Sequence, residues 1–335
     1  MSEAGQSAPL KVGVVGAGAI GGFIAARLAA AGCDVSVLAR GATLEAIRSH
    51  GLRLQSGGVA SVARVKASND TAELGVQDVV VLAVKSPALP AVAGQLAPLL
   101  DERTIVLPAL NGVPWWFFQL PSGPLAGRRV RAVDPDGQLQ AAIPAAQIVG
   151  TVVFPSCYCP EPGSVVHSSG SRLVFGEIDG TLSERAQMLA ALFTRAGFEA
   201  EASASIRQEV WGKLLGNACF NPVSLLTGSH TDWMIDDERV NRLFQGMMTE
   251  LQAVGRELGV PLEVAPPARL AFTRKLGHIK TSMLQDMEAG RPVEIDSILG
   301  AAVEIAAEVG VPTPLLDSVY AMARLRARIL GIYPE

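Results

Sequence analysis

The sequence contains little of what membrane-spanning, secreted and nucleic-acid-binding proteins need. It has no run of about 18 apolar residues, the length at which a helix spans a membrane. Its first residues, MSEAGQSAPLK, are polar and lack the basic-then-apolar pattern of a signal peptide. The formal net charge is -4, and no Lys/Arg cluster is accompanied by an aromatic stacking platform. We therefore expect neither a membrane nor a nucleic acid as a partner.

Cysteine and histidine are also sparse. The 4 cysteines include one Cys-x-Cys, formed by Cys157 and Cys159, without a second pair, and the 4 histidines are scattered. Neither pattern has the spacing of a zinc site, so no metal is expected. Reduced thiols in this number favour a cytoplasmic protein.

A chain of 335 residues with 49% hydrophobic residues predicts about two domains. In its first part, short Val/Ile/Leu-rich runs alternate with helical periodicity, which is typical of a parallel sheet covered on both faces. The predicted strands are 11–15, 34–40, 78–84 and 104–108, and a predicted helix covers 20–31.

The pattern changes twice further along the chain. Residues 120–147 are rich in Gly, Pro and charge and predict an irregular excursion, in which Arg128, Arg129 and Arg131 form a solvated loop. Strand-like runs return at 148–154, 164–168, 172–178 and 198–203, with a helix at 183–196. From 204 to the end, three-to-four-residue apolar periodicity predicts helices only. We therefore predict an α/β domain at 1–203 and an all-α helical domain at 204–335.

The stretch VGVVGAGAIGG carries the clearest motif. Gly16, Gly18 and Gly21 form G-x-G-x-x-G between a predicted strand and a predicted helix, with Ala19 and Ile20 at the helix start. The three glycines permit a tight turn, a close approach of the backbone to a pyrophosphate, and close packing of helix on strand. The helix amino terminus offers free N–H groups to the phosphates. This indicates a Rossmann-type dinucleotide site.

Arg40 stands where an NAD site usually has an acidic residue, at the end of the second strand. A carboxylate there would repel a 2′-phosphate, whereas a guanidinium pairs with it bidentately. We therefore predict NADP(H) as the cofactor. The alternative is a solvent-facing loop arginine.

Two further polar residues follow strands of the same sheet. Lys85 follows DVVVLAV, and Asn111 follows TIVLPAL. Because ligands of open α/β sheets bind beyond the carboxyl ends of the strands, both are candidate cofactor contacts. Lys85 is placed to contact ribose, phosphate or substrate, and Asn111 to line the nicotinamide side. Either residue is equally well explained as part of a surface turn.

The helical part opens with an unusual stripe in EVWGKLLGNACFNP. Lys213, Asn217 and Asn221 recur every four residues and so share one helix face. A partly desolvated amine has a lowered pKa and can protonate a forming alkoxide, and two carboxamides can hold the substrate beside it. The alternative is a lysine at the helix edge with two structural asparagines. Asn221 precedes Pro222, so we expect the helix to kink or end there.

Ser282 and Glu294 lie in TSMLQDMEAGRPVEIDSILG, in two predicted helices joined by a Gly-Arg-Pro turn. Glu294 near a helix amino terminus is explained either by a role in the site or by the helix dipole alone.

Together these motifs resemble those of the ketopantoate reductase family. The shared pieces are GAGAIGG, Arg40, the VKS containing Lys85, and the NG at 111, followed by W-G-K-L-x-x-N-x-x-x-N-P at 211–222 and S-M-L-Q-D…E-I-D at 282–296. The resemblance implies NADPH-dependent reduction of 2-dehydropantoate to pantoate, on the route to coenzyme A.

The resemblance also implies roles for the site residues. Lys213 would be the general acid, with Asn217 and Asn221 as substrate or proton-relay partners. Ser282 would bind the substrate carboxylate, and Glu294 would act catalytically and bind the substrate's hydroxyl end.

Some residues depart from the family pattern. Thr231 and Ile279 stand where substrate-binding asparagines are common, and GVPWWFF follows Asn111. We expect residues 115–118 either to form a wall of the pocket or to lie in the core or in a subunit interface. A bulkier 2-oxo acid or ketone as substrate, or a non-catalytic NADP-binding sensor, remains an alternative. A homodimer is compatible with the apolar helical domain.

Overall fold

The computed structural model describes residues 8–334 and divides by contacts into two compact units. The first unit consists of Met1–Val84, Ala88–Leu110 and Ala141–Ile206, and the second of Lys85–Pro87, Asn111–Gln140 and Arg207–Glu335. Most of the predicted excursion therefore clusters with the second unit. Residues 1–7, on which part of the signal-peptide argument rests, lie outside the described residues.

The first unit is built on a five-stranded parallel sheet in the order β5-β2-β1-β6-β7. Its central strand β1 is buried at four of five positions, because both faces of the sheet are covered. This confirms the predicted Rossmann-type architecture. The strand bounds are β1 (Lys11–Val15), β2 (Asp34–Leu38), β5 (Lys66–Ser68), β6 (Val79–Leu82) and β7 (Ile105–Pro108).

Two smaller sheets complete the first unit. One, in the order β4-β3-β10-β9, joins a hairpin at residues 52–63 to strands more than a hundred residues later. The hairpin was not predicted, because its second strand, VASVA, does not alternate apolar and polar residues and is exposed at every position but one. The other sheet has the order β12-β11-β8. The bounds are β3 (Leu52–Ser56), β4 (Val59–Ala63), β8 (Val149–Val153), β9 (Ser156–Tyr158), β10 (Ser164–Ser169), β11 (Arg172–Glu177) and β12 (Glu199–Ala202).

Helices cover these sheets. The first helix, α1 (Ala19–Ala30), buries Phe23, whose ring meets Phe198 edge-on at 5.1 Å, and Phe198 in turn packs on Phe193. The core of this unit is therefore aromatic where α1 and the later helix α6 come together. The other helices before residue 206 are α2 (Gly41–His50), α3 (Thr71–Leu74), α4 (Leu89–Ala93), α5 (Gln138–Ala142) and α6 (Glu184–Arg195).

The second unit is helical from residue 207 onward, as predicted. Its central helix α9 buries Phe244, Met247, Met248 and Leu251, spaced three to four residues apart, on one face. The helices are α7 (Ile206–Thr227), α8 (Thr231–Asp236), α9 (Glu238–Glu257), α10 (Pro266–Arg274), α11 (Ser282–Glu288), α12 (Ala301–Glu308), which continues a π-helical segment Asp296–Gly300, and α13 (Pro314–Ile329). No helix within residues 8–334 is long and apolar enough to cross a membrane.

Of the two outcomes expected from Pro222, a kink or an end of the helix, the end does not occur at Asn221. Helix α7 continues to Thr227, with Pro222 inside it. Proline removes one N–H donor, but the last turn is still bonded: the Ser224 hydroxyl donates to the Asn221 carbonyl at 2.7 Å. The whole polar stripe therefore lies on one continuous helix.

The WWFF segment belongs to the core of the second unit. Trp115, Trp116, Phe117 and Phe118 are each exposed by 2% or less. Phe117 lies 5.9 Å from the ring of Trp211, two residues before Lys213. Of the two interpretations offered for this segment, the structure supports core packing.

The basic run of the excursion is held in place by the acidic face of α12. Arg128 and Arg131 form ion pairs with Glu308 at 3.1 and 3.8 Å. Both oxygens of Glu304 accept backbone N–H groups, from Arg131 and Ala132, at 2.8 and 2.7 Å. Both arginines are exposed, as expected for a solvated loop, and they also form ion pairs that the sequence did not predict.

Candidate functional site

The glycine loop of the first unit has the geometry that a dinucleotide needs. Gly16 has φ +98°, in the left-handed region, and a Cβ on Gly21 would lie 1.9 Å from the Gly16 carbonyl oxygen. Only glycine fits at these two positions. By contrast, a Cβ on Gly18 would meet nothing within 4 Å. The open side of the loop is thus at the glycine expected to face the pyrophosphate.

The helix that follows presents its amino terminus at the same place. Helix α1 begins at Ala19, followed by Ile20, and has no side-chain cap and no acidic residue in its first turn. Its first N–H groups and the positive end of its dipole suit an anion. These features fit the diphosphate of a dinucleotide.

Arg40 lies where the prediction placed it relative to the loop. It follows β2, whose Leu38 carbonyl accepts the Gly16 N–H at 3.1 Å, so the end of β2 and the loop are adjacent. Arg40 is exposed, and its guanidinium donates to the Gln95 side chain at 3.1 Å. A cation at this position fits a 2′-phosphate.

Lys213 of the second unit is bonded to Asn111. Its Nζ donates to Asn111 Oδ1 at 2.7 Å, across 102 positions of sequence. Burial lowers the pKa of the Lys213 amine to about 8, and the nearby Glu294 opposes this shift. A partly buried amine with this pKa can donate a proton near neutral pH, which makes Lys213 the candidate acid.

Asn111 is fixed by the glycine that follows it. Gly112 has φ +81°, and a Cβ there would lie 2.2 Å from the Ser297 carbonyl oxygen, to which Val113 N–H donates at 2.8 Å. The Asn-Gly pair is therefore a tight turn packed on the helical stretch after Glu294. Asn111 was predicted to contact the cofactor, and the structure shows it as the partner of the candidate acid.

Glu294 is bonded to a residue that the sequence analysis missed. Its Oε1 accepts from the Ser86 backbone N–H at 3.0 Å and from the Ser86 hydroxyl at 3.1 Å. Burial raises the pKa of the Glu294 carboxyl, while these two bonds and Lys85 oppose the rise. The only hint in the sequence was a polar residue directly after Lys85.

Lys85, predicted to contact the cofactor, forms an ion pair within the second unit. Its Nζ lies 2.7 Å from Asp286 Oδ2 and donates to the Pro292 carbonyl at 3.1 Å. Asp286 is also bonded to Arg291 at 3.1 Å. The sequence analysis passed over Asp286, although it lies four residues after Ser282 on the same helix.

The other predicted residues lie in the same unit. Asn217 is partly exposed on α7, and Asn221 is 4% exposed one turn later. Ser282 is exposed as the first residue of α11, and Thr281, which caps that helix, meets the Ser224 hydroxyl at 2.5 Å. The joint action of Ser282 and Lys213 on a substrate stays a prediction.

The two positions that depart from the family pattern are bonded to each other. Thr231 N–H donates to the Ile279 carbonyl at 3.0 Å, and the Thr231 hydroxyl donates to the Gly277 carbonyl at 3.3 Å. Thr231 is buried. The start of α8 is therefore joined to the segment that leads into Ser282.

Residues 8–334 contain no candidate metal site. No group of three or more His, Cys, Asp or Glu side chains there has the geometry to hold an ion.

Known proteins resemble this chain over nearly its whole length. The family model described as "Ketopantoate reductase PanE/ApbA" matches residues 12–180, and "Ketopantoate reductase PanE/ApbA C terminal" matches residues 205–327. A 2-dehydropantoate 2-reductase of Mesorhizobium japonicum is 45% identical over 97% of this chain and 100% of its own.

Solved structures agree with these matches. A candidate ketopantoate reductase of Ralstonia solanacearum superposes with a TM-score of 0.93 at 47% identity, over 96% of this chain and 99% of its own. A 2-dehydropantoate 2-reductase of Methylococcus capsulatus gives 0.81 at 31% identity, over 96% and 98%.

Proposed function

The chain belongs to the ketopantoate reductase family, and from that premise we propose that it reduces 2-dehydropantoate to pantoate with NADPH. The family uses NADPH. We infer the catalytic residues and the substrate from the side chains of this chain.

The observation that carries the proposal is the bond between Lys213 and Asn111. When bound, NADPH supplies a hydride to the C2 carbonyl carbon of the 2-oxo acid. The carbonyl oxygen then needs a proton, and the Lys213 amine holds one: with a pKa of about 8, it is protonated by about ten to one at pH 7. Asn111 accepts from this amine and so directs one of its N–H bonds, which fixes the position of the candidate proton donor.

The remaining residues bind and orient the substrate. Ser282 takes the substrate carboxylate, because an exposed hydroxyl at the first position of α11 can donate to an anion. Glu294 accepts from the substrate hydroxyl, and its charge favours the protonated form of Lys213. Asn217 and Asn221 extend the polar stripe of α7 and bind the substrate or relay its proton.

The first unit holds the cofactor. Gly16, Gly18 and Gly21 form the diphosphate cradle together with the first residues of α1. Arg40 pairs with the 2′-phosphate. We also propose that Lys85 contacts the cofactor. Its ion pair with Asp286 competes with that contact.

A bulkier 2-oxo acid or ketone is the second candidate substrate. The observation that favours it is the bonded pair Thr231 and Ile279, which replaces two carboxamides by a hydroxyl and an apolar side chain next to Ser282. A loss of two polar side chains lowers the selectivity for a small polar substrate. A sensor that binds NADP without catalysis would need neither Lys213 nor its bond to Asn111.

An assay with purified protein distinguishes the candidates. NADPH oxidation is followed with 2-dehydropantoate and with bulkier 2-oxo acids, for the wild type, Lys213→Ala and the exposed control Lys275→Ala. We expect 2-dehydropantoate to give the highest kcat/KM and Lys213→Ala to lower kcat by about a hundred- to ten-thousand-fold. A higher kcat/KM for a bulkier acid would show that this acid, and not 2-dehydropantoate, is the preferred substrate. No turnover of any substrate would favour the sensor.

Cytoplasmic location and homodimer formation stay predictions of the sequence. Size-exclusion chromatography with light scattering tests the second of these directly.

A further inference from the structure

Ser86 is a buried serine with an unusual position in the chain. It begins a short 3-10 turn, Ser86–Ala88, just after strand β6, and it is 8% exposed. It belongs with Lys85 and Pro87 to the second unit, although the residues on both sides belong to the first. Its side chain is therefore part of the same unit as Lys213 and Glu294.

Both polar groups of Ser86 bind the same carboxylate oxygen. The backbone N–H and the hydroxyl donate to Glu294 Oε1, at 3.0 and 3.1 Å. Two donors on one oxygen fix the plane and the rotamer of the carboxylate, and they leave Oε2 to accept from a substrate hydroxyl. The bonds span 208 positions of sequence, so they hold distant parts of the chain together.

The adjacent Lys85 also fixes the position of Ser86 relative to Glu294. Lys85 is tied by its Nζ to Asp286 at 2.7 Å and to the Pro292 carbonyl at 3.1 Å. Pro292 lies two residues before Glu294. The serine and the glutamate are thus joined both directly and through the adjacent lysine, which restricts their relative movement.

We propose that Ser86 is a positioning residue, which holds Glu294 ionised and aimed at the substrate through its hydroxyl group. The inference rests on the proposed function, since it is that reaction that uses Glu294. In this role Ser86 acts through Glu294, to which both of its donors are bonded.

The charges around Glu294 support this role. Burial raises the pKa of its carboxyl, and Asp286 adds to the rise, whereas Ser86 and Lys85 lower it. Arg291 compensates part of the Asp286 charge through its own ion pair. On the other side of the site, Glu294 raises the pKa of Lys213. Loss of the Ser86 hydroxyl therefore favours the neutral Glu294, which in turn removes support for the charged Lys213.

The test compares Ser86→Ala, which keeps the backbone bond, with Ser86→Thr, which keeps both bonds. The first measurement is the pKa of Glu294 by carbon NMR of labelled glutamate in the protein without substrate, assigned with Glu294→Gln. We expect a higher pKa in Ser86→Ala than in the wild type, and a value close to the wild type in Ser86→Thr. An unchanged titration in Ser86→Ala would overturn the proposal.

The second measurement is the pH profile of kcat/KM for 2-dehydropantoate. In Ser86→Ala we expect roughly a tenfold fall at pH 7, mostly in KM, and an acid limb displaced to higher pH. A role in stability alone would lower the whole profile without displacing that limb, and would refute the assignment. If Ser86→Ala does not fold, Ser86→Cys, which keeps the size but has a weak donor, takes its place in both measurements.

The two measurements separate the two proposals. If the wild type does not reduce 2-dehydropantoate, the proposed function fails, while the titration still decides whether Ser86 controls Glu294.

Discussion

Replacing Lys213 by methionine is expected to abolish reduction and to stabilise the second unit at neutral pH. Burial lowers the pKa of this amine from 10.5 to about 8, a difference of about 2.5. Where the amine is charged in both states, that difference corresponds to roughly 3 kcal/mol of destabilisation. Methionine has a similar length and no charge to desolvate. Loss of the hydrogen bond to Asn111 offsets roughly 1 kcal/mol of this gain. The free energy of unfolding of Lys213→Met should therefore exceed that of the wild type by about 2 kcal/mol.

The sign of the pH dependence follows from the same shift. Below about pH 8 the amine is protonated in the folded and the unfolded chain, so the full cost of Lys213 is present. Between about pH 8 and 10.5 the folded protein loses this proton first. The unfolded chain then binds more protons, and the stability of the wild type rises with pH. The advantage of Lys213→Met therefore shrinks over this range.

Scanning calorimetry without nucleotide measures the effect, because a bound ligand would itself raise the melting temperature. For a unit of this size, about 2 kcal/mol corresponds to a rise of roughly 4–8 °C at pH 7. Lys275→Met, at an exposed position after α10, is the matched control and should leave the melting temperature unchanged. A melting temperature of Lys213→Met at or below that of the wild type, or a gain that does not shrink toward pH 10, would refute the reasoning.

Three further outcomes are expected. The kcat/KM of the wild type for 2-dehydropantoate should be level near neutral pH and fall above about pH 8 as Lys213 loses its proton; a profile level to pH 10 would contradict the assignment of the acid. Arg40→Gln should raise the KM for NADPH about tenfold or more and change that for NADH little, because only NADPH carries the 2′-phosphate; equal changes in initial-rate measurements would refute this role. Gly18→Ala should keep the wild-type melting temperature but weaken NADPH binding in calorimetric titration. Gly21→Ala should lower the melting temperature, because its Cβ would lie 1.9 Å from the Gly16 carbonyl oxygen. The reverse pattern would show that the roles of the two glycines are assigned wrongly.

Local patterns in the chain predicted much of the fold. The alternation of apolar strands and helices predicted four of the five strands of the parallel sheet, all but β5. The G-x-G-x-x-G spacing predicted the turn between β1 and α1, because each pattern depends on residues only a few positions apart. The hairpin of β3 and β4 escaped notice for the same reason. Its second strand is short and exposed, and β10, the other partner of β3, lies more than a hundred residues away.

Local rules left two features of the chain open. Pro222 does not end α7, which continues to Thr227, with the Ser224 hydroxyl bonded to the Asn221 carbonyl in the last turn. The basic residues Arg128 and Arg131 form ion pairs with acids of α12, which no short-range pattern contains. The ion pairs depend on packing, because the arginines and their acidic partners lie far apart in the chain.

The sequence by itself determined the glycine cradle, the arginine after β2 and the stripe of Lys213, Asn217 and Asn221, since a helix or a turn places these groups whatever surrounds them. Only the tertiary structure decided that Lys213 meets Asn111 and that Ser86 holds Glu294. These pairs join residues 102 and 208 positions apart. Contacts at that separation, and the burial that lowers the pKa of the amine, depend on how whole helices and loops pack, which no local spacing specifies.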